Sequence, residues 1–142
     1  MKINGIGPLS AVALVAHVGN AEQFRNGRQM SAYLGLTPRE HSSGGKQRML
    51  GISKRGNVRL RTLLILCARA VIQGIGRRKK GEDGEPLKMM TALDTWILGL
   101  VARKGVCKAA TALANKLVKM AWVVLAKGEA YDISKACKAL AA

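Results

Sequence analysis

Two adjacent serines and two adjacent glycines, Ser42-Ser43-Gly44-Gly45, lie in the most cationic stretch of this chain. From Thr37 to Arg61 there are seven basic residues (Arg39, Lys46, Arg48, Lys54, Arg55, Arg59, Arg61) and one acid, Glu40, a local net charge of +6. Arg and Lys at this density make charge-assisted contacts to phosphate oxygens, which supply affinity for nucleic acid without reading its sequence. Asn57 falls in the same candidate contact set and also has the residue type and position of a helix N-cap. A serine hydroxyl attacks only when a base or a metal activates it. His41 precedes Ser43 by two residues, but Glu40 is the one carboxylate near enough in sequence to orient it, and neighbours along a loop do not make a triad. On the residues alone, Ser42 and Ser43 read first as turn formers and only second as catalysts. A solvated basic loop is the alternative to nucleic-acid contact.

A second pattern opens the chain: Ile3-x-Gly5-Ile6-Gly7-x-x-x-Ala11-x-x-Leu14. It matches the turn and second helix of a helix-hairpin-helix, whose first helix would lie before Met1. Gly5 and Gly7 let the backbone turn tightly and approach a ligand. The free N–H groups at the helix start would then form an anion site for a DNA phosphate. A plain Gly-Pro helix start accounts for the same residues. A third feature, Arg77-Arg78-Lys79-Lys80, either grips phosphates or is a connector neutralised by Glu82, Asp83 and Glu85.

The whole chain repeats this imbalance. Its 142 residues carry 24 Lys+Arg against 8 Asp+Glu, a formal net charge of +16. A surplus of that size calls for a polyanionic partner, with nucleic acid first and an anionic membrane surface second. Aromatic residues make up 4%, which argues against a platform for stacking single-stranded bases. The acids are too few and scattered for a carboxylate-only metal site, so no cofactor is expected on this chain. The apolar stretch Leu9–Val18 is far short of the ~20 residues that span a bilayer. Together with three widely spaced cysteines (Cys67, Cys107, Cys137), this points to a cytoplasmic protein without a membrane partner.

The elements that must position these groups read as helices. The expected architecture is all-α: one compact multi-helix domain over 1–142 with a helix-hairpin-helix-like start and a long basic Gly/Ser loop. A first helix starts at Pro8, with Leu9, Val12, Ala13 and Ala16 at helical spacing, and stops at Gly19-Asn20. A second runs near Gly27 to Leu34. A loop of about twenty residues, Leu36 to Gly56, follows, and loops of that length are usually functional. Asn57 then opens a central apolar helix from Val58 to Gln73, ended by Gly74-Ile75-Gly76. The first unit is therefore 1–75. Residues 76–106 hold the charged connector and a helix opened by Pro86 with Met89, Met90, Leu93, Trp96, Ile97, Leu100 and Val101 as apolar positions. Residues 107–142 hold a helix to about Ala126 and a last short helix capped by Asp132.

Several fragments recur in a fixed order: Gly5-Ile6-Gly7-Pro8, Tyr33-Leu34-Gly35-Leu36-Thr37-Pro38, Ser43-Gly44-Gly45, Ile52-Ser53-Lys54-Arg55-Gly56-Asn57, Leu60-Arg61, Asn115-Lys116 and Lys127-Gly128-x-x-Tyr131. As an ordered set they resemble the C-terminal domain of the IS-one-ten type insertion-sequence transposases, relatives of the pilin-gene DNA invertases. The resemblance implies a serine that attacks a DNA phosphodiester and becomes covalently linked to it. Ser43 occupies that position, with Ser42 as the fallback. It further implies DNA and an element-encoded bridge RNA as partners, a homo-oligomer, and Mg²⁺ held by an acidic tetrad in an upstream RuvC-like domain. That tetrad has no counterpart here, so the chain is expected to be a C-terminal half that binds nucleic acid but lacks strand transfer alone.

Overall fold

A computed structural model describes residues 3–80 and 91–128, with the side chains of 78–80 left aside. Glu82, Asp83, Glu85, Pro86, Met89, Met90, Tyr131, Asp132 and Cys137, on which several expectations rest, lie outside the described residues. The elements are α1 (Pro8–Val18), a single 3-10 turn (Ala21–Gln23), α2 (Gly27–Tyr33), β1 (Pro38–Glu40), β2 (Met49–Ile52), α3 (Val58–Lys80), α4 (Ala92–Lys104) and α5 (Val106–Lys127). The class is all-α. An antiparallel hairpin, β1–β2, interrupts what the sequence suggests is an unbroken loop.

The core is built on α3 and α5. Leu60, Leu64, Ala68, Ile72 and Ile75 form one buried stripe along α3, spaced at helical periodicity. Ala110, Leu113, Ala114, Leu117 and Ala121 form the facing stripe of α5, where the alanines let the two helices approach closely. Each leucine fully withdrawn from water here contributes about 1.5–3 kcal/mol. By length and composition α5 could cross a membrane, but its buried stripe is covered by α3, α2 and α4.

α3 runs past its expected end, through Gly74-Ile75-Gly76 to Lys80. A glycine inside a helix costs about 1 kcal/mol. Burial of Ile72 and Ile75 on either side offsets that cost and keeps the helix continuous. α4 begins with a capping box. The Thr91 hydroxyl accepts from Asp94 N (3.2 Å) while the Asp94 carboxylate accepts from Thr91 N (3.1 Å).

α1 is oriented differently from the expected apolar set. Its buried residues are Ser10, Leu14 and Val18, whereas Leu9 and Val12 are 75% and 68% exposed. Almost every residue of α1 is apolar, so periodicity alone does not select an inward face.

Candidate nucleic-acid interface

The basic segment is a hairpin standing on a clamp. Residues 38–51 are all exposed, so neither face of the two strands is covered. Pro38 pairs with Ile52 and Glu40 with Met49, with an irregular register between them. Beyond the strands, His41 N donates to Arg48 O (2.9 Å) and Lys46 N to Ser43 O (3.2 Å). Gly44 and Gly45 have φ of 60° and 77°. Positive φ at both central residues is the pattern of the two-residue type I′ turn, whose twist matches that of paired strands. Ser43 and Lys46 therefore flank the tip of the hairpin.

A two-stranded hairpin is at best marginally stable alone, so its base must be anchored. Arg61 does this. Its side chain is 7% exposed, and its Nη1 donates to Leu34 O (3.3 Å) on the incoming leg and to Arg55 O (3.1 Å) on the outgoing one. Gly35 and Gly56 adopt φ of 70° and 89°, and a Cβ on either would overlap a backbone oxygen of the opposite leg, that of Arg55 or of Tyr33. Ser53 N donates to Thr37 O (2.8 Å) and Lys54 N to Gly35 O (3.1 Å). Asn115 of α5 donates through Nδ2 to Leu36 O (3.1 Å), tying the clamp to the core.

The sequence-derived site residues thus divide. Arg39, Lys46, Arg48, Lys54, Arg55 and Arg59 are exposed on the hairpin, its base and the first turn of α3. Arg61 is a correction: its cation is spent on two carbonyls inside the clamp and does not face a phosphate. Helical phase carried the signal, because Arg61 lies only about 40° from the centre of the buried stripe of α3 while Arg59 lies about 160° away. Asn57 caps α3 by accepting from Leu60 N (3.0 Å), and its Nδ2 meets His17 Nδ1 at 3.2 Å. His17 also stacks on Tyr33, with ring centroids 5.7 Å apart.

Gly5 is accounted for by the fold. It occupies the third position of a turn closed by Ile6 N donating to Ile3 O (2.9 Å), with φ of 95°. A Cβ there would lie 2.6 Å from Val71 Cγ2, so the missing side chain is explained by close packing on α3. Gly7 is exposed at the N-terminus of α1, which has no side-chain cap. Ser42 Oγ donates to the Glu40 carboxylate at 2.5 Å, whereas the Ser43 hydroxyl carries no hydrogen bond among the described residues. Asn115 and the glycine pair Gly35/Gly56 lie in the ordered motif fragments, where the residues alone assigned them no role; the structure makes them positioning residues. Among the described residues, no three His, Cys, Asp or Glu side chains come together as a metal site.

The electrostatics reinforce the picture. α3 has no acid in its first turn, yet Arg59 and Arg61 sit there, at the positive end of the helix dipole. Glu22, Glu40 and Asp94 are the acids among the described residues, and Glu40 alone belongs to the hairpin.

A model of the Transposase IS116/IS110/IS902 family matches residues 1–80, which takes in α1, the clamp, the hairpin and α3. The chain belongs to this transposase family. It is 45% identical over 130 residues to the transposase for insertion sequence element IS1111A of Coxiella burnetii, covering 92% of this chain and 33% of that protein. To a "Probable family 20 transposase" of Pseudomonas aeruginosa it is 44% identical over 131 residues (92% and 36%). To the transposase for insertion sequence element IS1328 of Yersinia enterocolitica it is 37% identical over 132 residues (93% and 36%). The chain spans about a third of the length of the curated transposases it matches. The family model ends at the last turn of α3, so the hairpin and its anchoring helix fall inside the shared segment.

Proposed function

We propose that this chain is the part of an insertion-sequence transposase that holds the nucleic-acid backbone and supplies the nucleophile for strand cleavage and exchange. The observation that carries this reading is the fully exposed cationic hairpin, clamped to the core at its base and carrying Ser43 at its tip. Arg39, Lys46, Arg48, Lys54, Arg55 and Arg59 neutralise phosphates. The open start of α1 at Gly7, as the second helix of a helix-hairpin-helix, offers N–H groups to another. The Ser43 oxygen attacks a backbone phosphorus. An O–P bond forms as the serine hydroxyl releases its proton to solvent, the P–O bond to the neighbouring sugar breaks, and the leaving sugar oxygen takes up a proton from solvent. Mg²⁺ supplies Lewis-acid activation in such chemistry, and its ligands in this reading belong to a RuvC-like domain of the longer transposase. The same reading gives the chain a bridge RNA and further transposase copies as partners in the cytoplasm.

Ser43 is preferred to Ser42 because it directly precedes Gly44 at the hairpin tip, the position that the resemblance implies for the nucleophile, whereas the Ser42 hydroxyl donates to Glu40. The purified chain is expected to retard duplex DNA with an affinity that falls about 10³-fold between ~50 and ~200 mM salt for roughly six phosphate contacts. Ser43→Ala leaves that binding intact and, in a full-length transposase carrying this segment, abolishes the covalent protein–DNA adduct. An adduct that survives Ser43→Ala but not Ser42→Ala moves the nucleophile to the fallback. Survival in both variants rejects serine chemistry. A second reading, a non-catalytic binding module, is favoured by one observation: no base contacts Ser43 among the described residues.

A further inference from the structure

The outer face of α3 continues from Arg59 of the hairpin site to two further cations, Arg69 and Arg77, that neither the hairpin nor the clamp uses. Arg59, Arg69, Gln73 and Arg77 are all exposed, on the side opposite the stripe buried against α5. Arg59 and Arg77 are 18 residues apart, which is five full helical turns, so they point the same way about 27 Å from one another. Arg69 lies between them, turned by about 80°. All 23 residues of α3 are free of acid, so the row has no countercharge of its own. The buried face of the same helix packs along α5, which fixes these positions before any partner arrives.

We propose that this row is a second backbone-binding surface, a rail that receives a double-helical stretch of nucleic acid continuous with the strand at the hairpin. This rests on the proposed nucleic-acid reading of the hairpin and extends it by Arg69, Gln73 and Arg77. A rigid row of point contacts spread over about 27 Å suits a regular duplex, in which about eight base pairs cover that length. A single strand would need aromatic surfaces for its unstacked bases. The exposed residues between the cations, Thr62, Leu66 and Ala70, provide none. Duplex DNA and the stem of a structured RNA share the chemistry that the row recognises.

The test is the salt dependence of binding of the full chain to two probes, a 20-base-pair DNA duplex and an RNA hairpin of similar stem length. Arg69→Ala/Arg77→Ala is compared with Arg103→Ala/Lys104→Ala, which removes the same charge from exposed positions at the end of α4. A third variant, Lys46→Ala/Arg48→Ala, reports on the hairpin. If the rail is used, Arg69→Ala/Arg77→Ala shrinks the fall in affinity between ~50 and ~200 mM salt about tenfold, the loss of two phosphate contacts. The α4 variant leaves it unchanged, and Arg69→Lys/Arg77→Lys restores it. A loss seen with one probe alone identifies which double helix occupies the rail. Overlap of the α3 and α4 variants on both probes overturns the proposal, and a simultaneous loss in the hairpin variant leaves the hairpin reading standing. A wild-type chain that binds neither probe overturns both.

Discussion

The hairpin of residues 38–52 and the α3–α5 pair are built on opposite principles. The hairpin buries almost nothing, and every residue from 38 to 51 is exposed. Its shape comes from a few backbone hydrogen bonds, two glycines at positive φ and an anchored base. The helical pair is stabilised by interlocked apolar side chains. In the helical pair, stability and shape have the same source. In the hairpin they are separated: the clamp carries the stability, and the tip is left free for a partner. A protruding cationic tip can therefore change without unfolding the domain, while its base cannot.

The strongest way to break that comparison is to damage the helical pair. Leu113→Ala opens a cavity at a fully buried site and is expected to destabilise the chain by about 2–5 kcal/mol, read as a drop in urea midpoint. A loss under about 1 kcal/mol would mean that the core is looser than its burial implies. Next comes the clamp. Arg61→Met removes a cation that serves two carbonyls, and about 1.5–3 kcal/mol is expected. Hydrogen exchange is the sharper readout, because Lys46 and His41 amides should lose protection before those of α5. Uniform loss of protection would show that the hairpin and core unfold as one unit.

Asn57→Ala should cost about 1 kcal/mol through loss of the α3 cap. Lys46→Ala/Arg48→Ala sits lower still, within about 0.5 kcal/mol in stability, while lowering the salt dependence of DNA binding by about two contacts. A large shift in Tm for this variant would contradict the separation of tip from clamp.

The smallest effect concerns Lys119, whose pKa is lowered from its ordinary value near 10.5 first by burial and then by the Arg28 guanidinium. The unfolded chain binds the extra proton more readily, so stability should rise with pH as that lowered pKa is passed and level off above 10.5. Lys119→Met should remove this slope from a pH series of thermal melts.

Much of this was legible in the residues. The apolar run from Val58 to Gln73 announced α3 and Asn57 its cap, but the run is apolar on so many positions that it did not single out the stripe of Leu60, Leu64, Ala68 and Ile72 that is buried. The density of Arg and Lys from Thr37 to Arg61 gave the charge of the hairpin, though not that Arg61 is buried. The hairpin was less legible because its strands lack alternating apolar residues, although Gly44-Gly45 between paired segments was a usable turn signal. α1 was least legible, since an all-apolar helix does not reveal which side is covered.

Local sequence, then, determined the helices, the caps and the charge, because each depends on residues within about one helical turn of one another. Helical phase turns Arg61 inward and Arg59 outward, but only the tertiary structure decided what the inward cation does, which is to staple two loop carbonyls. Arg59 and Arg61 are chemically identical and two positions apart, yet one faces water and the other bridges Leu34 and Arg55. That bridge, like the grip of Asn115 on Leu36 from 79 residues away, required distant segments to meet and their buried carbonyls to find donors.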